Sequence, residues 1–329
     1  MPNAIVIDEY GGPEVLTLRD VPVGDPADHE VRIAHTRIGV NFHDVYVRSG
    51  LYRTLALPGT PGIEAAGVVV DVGRDVATLR PGDRVAYVTG RYGVYASERT
   101  IDASLLTTLP DDVSDETAAS VLLRGLTVEM LVRRVHRVEA GMVVLVQAAA
   151  GGVGQMLCRW LAHLGAEVIG TVGHDDHERV ARDVGCRHVV RNRGTDVAAE
   201  VRALTDGRGV DVAYDGVGAA TFDGSLASLA RFGHLVNYGQ ASGPVAPFAV
   251  STLATNSTSL SRPVIFHHVD DATRRAEMTA NVFRAIAGGW LRMQAPKTYP
   301  LAEAAAAHRD LEAHGATVPL LLIPEETSR

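Results

Sequence analysis

Apolar residues in the first third of the chain fall into short alternating or β-branched runs, such as Val31 to Val40, Gly67 to Val72 and Arg84 to Val88, separated by Gly, Pro and Asp. Period-two patterns of this length specify half-buried strands, so residues up to about Leu109 are expected to form an irregular β-rich domain. The pattern changes at Ser114. Asp115, Glu116 and a long helical stretch follow it; the serine hydroxyl can accept from a free first-turn amide, and the carboxylates suit the positive helix end. From about Val143 to Asn237, apolar strands alternate with amphipathic helices: Val143 to Gln147, Glu167 to Val172, His188 to Val190, Val210 to Asp215 and His234 to Tyr238. That alternation predicts a parallel sheet with helices on both faces. Beyond Pro263 come a helix through Met278 to Ile286, an Ala-rich helix from Leu301 to His314, and the apolar run Leu320 to Pro324, read as a strand returning to the first domain. No internal repeat or low-complexity linker interrupts the chain.

The length of 329 residues, 46% of them hydrophobic, exceeds one compact core and is short for three, so two domains are expected. Thirty-three glycines and 5% aromatic residues point to α/β layers with tight helix–sheet contacts. The net charge of −8 is spread without blocks of either sign, so nucleic acid and anionic membranes are poor partners. Met1 to Tyr10 lacks the basic start and longer apolar stretch of a signal peptide, and no apolar run nears the roughly 18 residues of a membrane helix. A cytoplasmic location is expected. Of the two cysteines, Cys158 lies in an apolar helix pattern and is expected to be buried, while Cys186 is placed near a surface turn; neither sits in a metal-ligand pattern.

The strongest local signal is the strand Val143 to Gln147, the small-residue turn Ala148 to Gly154, and the apolar helix from Gln155 to Leu164. This is the order a dinucleotide fold requires. Gly151 lets a pyrophosphate approach the backbone, Gly154 lets helix and strand pack closely, and the free helix amides face the phosphates. Ala149 stands where the common fingerprint has its first glycine. A second cluster, Asp215 to Gly218, ends the fourth strand and is expected to open on the same crevice; the alternative for both clusters is an ordinary tight turn. The acid that would hold a ribose 2′-hydroxyl is absent from the end of Glu167 to Val172, where Val172 and Gly173 stand. Asp175 and Asp176 follow closely, and Arg179, Arg191 and Arg193 are nearby cations.

Taken together, several motifs make the chain resemble the zinc-independent medium-chain dehydrogenase/reductases, in particular bacterial NADPH:quinone oxidoreductases. They are Gly39 to Asp44 through Arg48-Ser49-Gly50-Leu51-Tyr52, Pro61 to Val68, Pro81 to Val85, Leu123 to Thr127, Ala148 to Gly154, Tyr214 to Gly218, Ser261-Arg262-Pro263 and Leu321 to Pro324. The resemblance implies an α/β fold: a Rossmann-type doubly wound parallel sheet in residues 124–262, and a β-rich GroES-like catalytic domain from residues 1–123 and 263–329, with the cofactor in the cleft between them. It implies that Asn41, Asp44, Tyr46 and Tyr52 surround the nicotinamide and acceptor. It implies cofactor contacts from Thr127, Ala150, Gly151, Gly152, Val153, Gly154, Gly173, His177, Asn192, Gly216, Val217, Tyr238, Gly239 and Arg262. It also implies a homodimer formed by sheet edges near His234 to Leu260.

Zinc-dependent relatives place a Cys in the segment matched by Gly39 to Asp44 and a His before the glutamate matched by Glu64. Here Asn41 and Ile63 stand in those neighbourhoods, so no metal site is expected and His43 beside Asp44 makes only an incomplete one. His177 and Asn192 replace the lysine and tyrosine that those reductases carry near the 2′-phosphate. NADPH remains the expected cofactor, with NADH as the alternative. The expected activity is quinone reduction by hydride transfer. Reduction of activated C=C bonds in enones or alkenals is the second reading, and a nucleotide- or RNA-binding protein with little turnover is the third.

Overall fold

The computed structural model describes residues 1–314 and 317–325. By contacts the chain divides into two compact units: residues 1–123, 269–283 and 293 onward form the first, and Arg124–His268 with Arg284–Arg292 the second.

The first unit opens with β1 (Asn3–Val6) and β2 (Thr17–Asp20), paired antiparallel. Then come β3 (Glu30–Val40), α1 (Phe42–Arg48), β4 (Glu64–Val72), β5 (Arg84–Val88), β6 (Glu98–Asp102) and β7 (Thr107–Thr108). Helix α2 (Asp115–Glu129) follows and runs on into a π-helical turn, Met130–Val135. Ser114 Oγ accepts from Thr117 N at 3.1 Å, the cap that the sequence implied.

Strand order in the second unit explains its apolar runs. Its elements are β8 (Val143–Val146), α3 (Gly152–His163), β9 (Glu167–Val172), α4 (Asp176–Asp183), β10 (His188–Arg191), α5 (Val197–Leu204), β11 (Val210–Asp215), α6 (Phe222–Ala227), β12 (Leu229–Asn237) and β13 (Ser259–Ser261). All pairings are parallel, in the order β10-β9-β8-β11-β12-β13. This is a doubly wound sheet whose direction of winding reverses between β8 and β11, so the turns after those two strands flank the switch point. Leu145, Ile169, Val190, Ala213 and Leu235 make the sheet's contribution to the core. Strand β12 starts at Leu229, earlier than the expected His234. Phe232 adopts φ 64° and the ladder to β11 shifts between Val210 and Val212, which masks the alternation. Cys186 is buried rather than at a surface turn: its Sγ lies 3.4 Å from that of Cys158, in space left by the missing side chain of Gly170.

The chain then adds α7 (Ile265–Val269), α8 (Ala272–Ala287), β14 (Lys297–Pro300), α9 (Ala304–His314) and β15 (Leu320–Ile323). The apolar run Leu320 to Pro324 does form a strand: β15 pairs antiparallel with β3, matching Leu320 to Val40 and Leu321 to Gly39. In the first unit's main sheet β3 is central, pairing with β4, β6 and β15. Its alternation buries Val31, Ile33, Ile38 and Val40 against Ala65, Val85, Tyr87 and Leu322. Each large side chain so buried contributes about 1.5–3 kcal/mol. Strand β3 therefore ends in a rigid sheet, and Asn41, the next residue, is held at the start of α1. Among the described residues no helix is long and apolar enough to cross a membrane.

Candidate active site

In the first unit the site begins with a missing side chain. Gly39 on β3 lies so close to Glu64 that a Cβ there would come within 2.5 Å of Glu64 Oε2. That space lets the buried Glu64 carboxylate reach Asn41 Nδ2 at 2.9 Å and Leu123 N at 2.6 Å. Asn41 is extended and caps α1, and Asp44 Oδ2 accepts from Asn41 N at 2.9 Å. Asp44 is fully buried, and burial raises its pKa to about 7, against the pull of the Asn41 amide and the Tyr95 hydroxyl; the nearby Glu64 charge adds to the rise.

One turn along and into the following loop lie the aromatic candidates. The Tyr52 amide donates to Tyr46 O at 2.9 Å, and the two rings meet edge to face at 5.1 Å. His43 packs edge-on against Tyr52 at 5.6 Å and stacks on Tyr92 at 6.0 Å. His43 Nε2 meets the Tyr92 hydroxyl at 3.3 Å, and Thr54 Oγ1 bonds the same hydroxyl. Burial lowers the His43 pKa to about 4, so the ring is neutral at pH 7. The group is half-buried, with several phenol hydroxyls among flat apolar faces.

The second unit forms a tight turn. After β8, Ala148 takes φ 53°, and its carbonyl oxygen points so closely at Gly154 that a Cβ on Gly154 would overlap it. Gly151 is the extended N-cap of α3. The first-turn amides of α3 lack intrahelical acceptors and carry the positive helix end, as an anion requires. Behind the turn a buried polar chain crosses the sheet edge: Thr171 Oγ1 donates to Gln147 Oε1 at 2.6 Å, Gln147 Nε2 to Ser225 Oγ at 3.0 Å, and Ser225 Oγ to Asp215 Oδ2 at 2.9 Å. Asp215 also accepts from Val217 N, Gly218 N and Thr221 Oγ1. It is therefore the acceptor that shapes the Gly216 to Gly218 turn. Gly216 packs under the Tyr238 ring, where a Cβ would come within 2.7 Å.

At the end of β9, Asn192 N donates to Val172 O at 3.0 Å, and Asn192 Oδ1 lies 3.6 Å from the place of a Cβ on Gly173. His177 packs edge to face on His174 at 5.6 Å. Burial, with the His174 charge adding and Asp176 opposing, lowers the His177 pKa. Arg191 Nε holds Asp175 Oδ1 at 3.0 Å, so Asp175 carries its own cation.

Comparison with known proteins matches two stretches of the chain to two domain models. The Alcohol dehydrogenase GroES-like domain covers residues 27–111, and the Zinc-binding dehydrogenase model covers residues 152–280. The chain is 39% identical to a quinone oxidoreductase of Pseudomonas aeruginosa, over 98% of this chain and all of that protein. The chain belongs to the quinone oxidoreductase family. Its fold superimposes on the crystal structure of the Escherichia coli quinone oxidoreductase complexed with NADPH with a TM-score of 0.95, at 37% identity over 98% of this chain and 100% of that one. A 2-haloacrylate reductase of Burkholderia is 37% identical over 99% of this chain and all of that protein.

The sequence candidates fall in several places. Asn41, Asp44, Tyr46 and Tyr52 are brought together on and after α1. Ala150, Gly151, Gly152, Val153 and Gly154 form the turn and first residues of α3, and Gly216, Val217, Tyr238 and Gly239 pack beside one another after β11 and β12. Gly173, after β9, and Asn192, after β10, lie beside each other, and His177 is in α4 against His174. Arg262 Nη1 bonds the carbonyl of Asn237, next to Tyr238, at 3.0 Å, and the side chain lines a cavity of about 450 Å³ with Asn237, Gln240, Phe222 and Phe248. Thr127 sits within α2. Sequence reading missed Tyr92, Tyr95, His174 and His308. Tyr92 and Tyr95 lie in an aperiodic loop with no signal, whereas Ala304, Ala307, His308 and Leu311 follow helical spacing, which marks His308 as inward-facing.

Proposed function

We propose that this chain reduces quinones with NADPH by hydride transfer, without zinc. The observation that carries this reading is the edge-to-face packing of Tyr46 on Tyr52, next to His43 and Tyr92 and one turn from buried Asn41. Flat ring faces suit a planar acceptor, and phenol hydroxyls suit an oxygen that gains negative charge. Bound NADPH supplies the hydride. The residues present fit that cofactor: Gly154 allows the tight turn, Gly151 and the α3 amides receive the pyrophosphate, and Gly173 leaves room for a 2′-phosphate beside His177. Asn41, fixed by Glu64, orients a carboxamide or acceptor oxygen, and Tyr46 or Tyr52 donates a hydrogen bond as charge develops. Residues 124–262 act as the dinucleotide-binding domain and residues 1–123 with 263–329 as the catalytic domain.

Zinc plays no part in this proposal because the ligand chemistry is missing. Asn41 and Ile63 offer neither thiolate nor imidazole, and the His43 ring is engaged with Tyr92. Among the described residues no group of three or more His, Cys, Asp or Glu side chains is arranged to hold a metal. A homodimer is part of the same proposal.

Reduction of activated C=C bonds is a second reading, favoured by the 2-haloacrylate reductase relative. The same donors stabilise an enolate as well as a hydroquinone anion. Initial rates with 1,2- and 1,4-quinones, enones and 2-haloacrylate, each with NADPH and NADH, separate the readings. Highest kcat/KM for a quinone with NADPH supports the first, and preference for an enone or haloacrylate supports the second. Cofactor binding without turnover of any acceptor would instead favour a nucleotide-binding protein, a reading that the net charge of −8 disfavours for RNA.

A further inference from the structure

Behind Asp44 runs a buried chain of polar side chains that quinone reduction, as set out above, does not use. Arg48 is 2% exposed and is held bidentately by Glu312, with Nη1 to Oε2 and Nη2 to Oε1 both at 2.9 Å; its Nε also donates to Gly11 O. Nη1 also meets His308 Nδ1 at 3.0 Å. His308 Nε2 meets the Tyr95 hydroxyl at 3.0 Å, and that hydroxyl meets Asp44 Oδ2 at 3.1 Å. His308, Tyr95 and Asp44 are each fully buried. Asp44 Oδ1 is buried with no hydrogen-bond partner among the described residues.

Donor chemistry gives this chain a direction. A guanidinium only donates, so His308 Nδ1 accepts and its single proton is on Nε2. Nε2–H then donates to the Tyr95 oxygen, which leaves the Tyr95 O–H to donate to Asp44 Oδ2. Oδ2 also accepts from Asn41 N, so it takes two donors. A proton on Oδ2 would collide with one of them, and a neutral Asp44 therefore carries its proton on Oδ1. Burial, with the Arg48 charge adding, lowers the His308 pKa to about 3, which keeps the ring in its singly protonated form.

We propose that Arg48, His308 and Tyr95 are positioning residues whose one-way donor chain fixes the proton of Asp44 on Oδ1, and that reduction runs on this neutral form of Asp44. The inference rests on the reading of this site as a reductase's acceptor site. Hydride arrival places negative charge on the acceptor, and a carboxylate among these residues would oppose it; an uncharged Asp44 does not. Glu64 on β4 and Tyr92 in the loop are the other titratable neighbours: the Glu64 charge disfavours a second negative charge at Asp44, while Tyr92, its pKa raised by burial, stays a neutral phenol. The Asp44 pKa of about 7 makes the balance adjustable near neutral pH.

The test uses the full-length protein in wild-type form and as Tyr95→Phe, His308→Gln and His308→Leu. Carbon-13 NMR of the Asp44 carboxyl, recorded without acceptor, follows its titration, and kcat/KM for a quinone is measured over the same pH range. Tyr95→Phe removes one of the two donors to ionised Oδ2, so the titration should move up by about one unit or more, and activity should persist to correspondingly higher pH. His308→Gln keeps an acceptor toward Arg48 and a donor toward Tyr95 and should titrate as wild type; His308→Leu should move toward Tyr95→Phe. Tyr95→Phe titrating with wild type, or both His308 variants behaving alike, overturns the positioning role. A shifted carboxyl with an unshifted activity profile overturns the claim that reduction runs on neutral Asp44. Shifted carboxyls with no turnover of any acceptor would count against the proposed function and leave the donor chain standing.

Discussion

Asn41 and Glu64 meet through Nδ2 and Oε2 at 2.9 Å, both buried, while the second oxygen of Glu64 takes the Leu123 amide at 2.6 Å. The carboxylate thus dictates which end of the Asn41 amide faces the rest of the site. Glu64→Gln keeps an acceptor for Leu123 but turns an NH2 toward Asn41, which must then flip. We expect stability within about 1 kcal/mol of wild type and at least a tenfold loss in kcat, because the amide presents the wrong group. Glu64→Ala should instead lower stability by about 2–4 kcal/mol, leaving two buried donors without this acceptor. Chemical denaturation and initial-rate kinetics on both variants check this. Full activity in Glu64→Gln would show that the Asn41 orientation does not matter.

Gly154 and the Ala148 carbonyl oppose each other with no room for a side chain. Gly154→Ala must push the turn away from α3, at a cost of about 1–3 kcal/mol, and the amides meant for a pyrophosphate move with it. The cofactor dissociation constant should rise about tenfold or more, and the melting temperature should fall. Titration calorimetry with NADPH measures the first; unchanged affinity would remove the turn from the binding site.

Much of this was legible before the fold was seen, for reasons that differ by residue. The turn from Ala148 to Gly154 is local: strand, small residues and helix adjoin in the chain, so their chemistry reads directly. Asn41 and Asp44 are likewise close in sequence, at the start of one short helix. The partners of Asp44 are not local. Tyr95 is 51 positions away and His308 is 213 from Tyr95, and only the pairing of β15 with β3 and the packing of α9 bring them together. The burial of Cys186 was hidden for the same reason, since it depends on the missing side chain of Gly170 on a neighbouring strand.

Zinc independence is testable directly. Metal analysis of the purified protein should give far less than one zinc per chain, and prolonged treatment with a chelator should leave kcat/KM for a quinone unchanged. Loss of activity restored by added zinc would show that side chains elsewhere in the protein bind the metal.

Among the described residues the sheet of the second unit ends in β10 on one side and β13 on the other, and the edge near the expected dimer segment is β13, since His234 to Val236 on β12 are paired with β11 on one side and β13 on the other. The edge therefore lies at Ser259–Ser261 and not at His234. In the same stretch Phe232, Phe248, Val250 and Val264 are exposed, the first and third at 74% and 76%. Unpaired strand groups beside exposed apolar side chains favour a second copy. Sedimentation at micromolar concentration should show a homodimer, and Val250→Asp should shift it toward monomer. A wild-type monomer at that concentration would refute the assembly.

His177 sets the last expectation, because its charge depends on pH where a lysine's would not. In the free protein burial and the neighbouring His174 hold its pKa below 6.5. A bound 2′-phosphate favours the imidazolium, so the pKa rises in the complex. By linkage, affinity for NADPH increases as pH falls through the pKa of the complex and levels off below the lower pKa of the free protein. The gain over NADH should therefore be larger at pH 5.5 than at pH 8. Since the phosphate itself titrates near pH 6, the wild-type ratio is compared with that of His177→Ala, which removes the imidazole and leaves the phosphate's own titration. His177→Lys supplies a fixed cation and should bind NADPH about tenfold tighter at pH 8, without the imidazole's pH dependence. Dissociation constants for both cofactors between pH 5.5 and 8 decide the matter. A wild-type ratio that tracks His177→Ala would exclude His177 from the phosphate site. A preference for NADH would show that Asp175 or Asp176 reaches the ribose, despite the hold of Arg191 on Asp175.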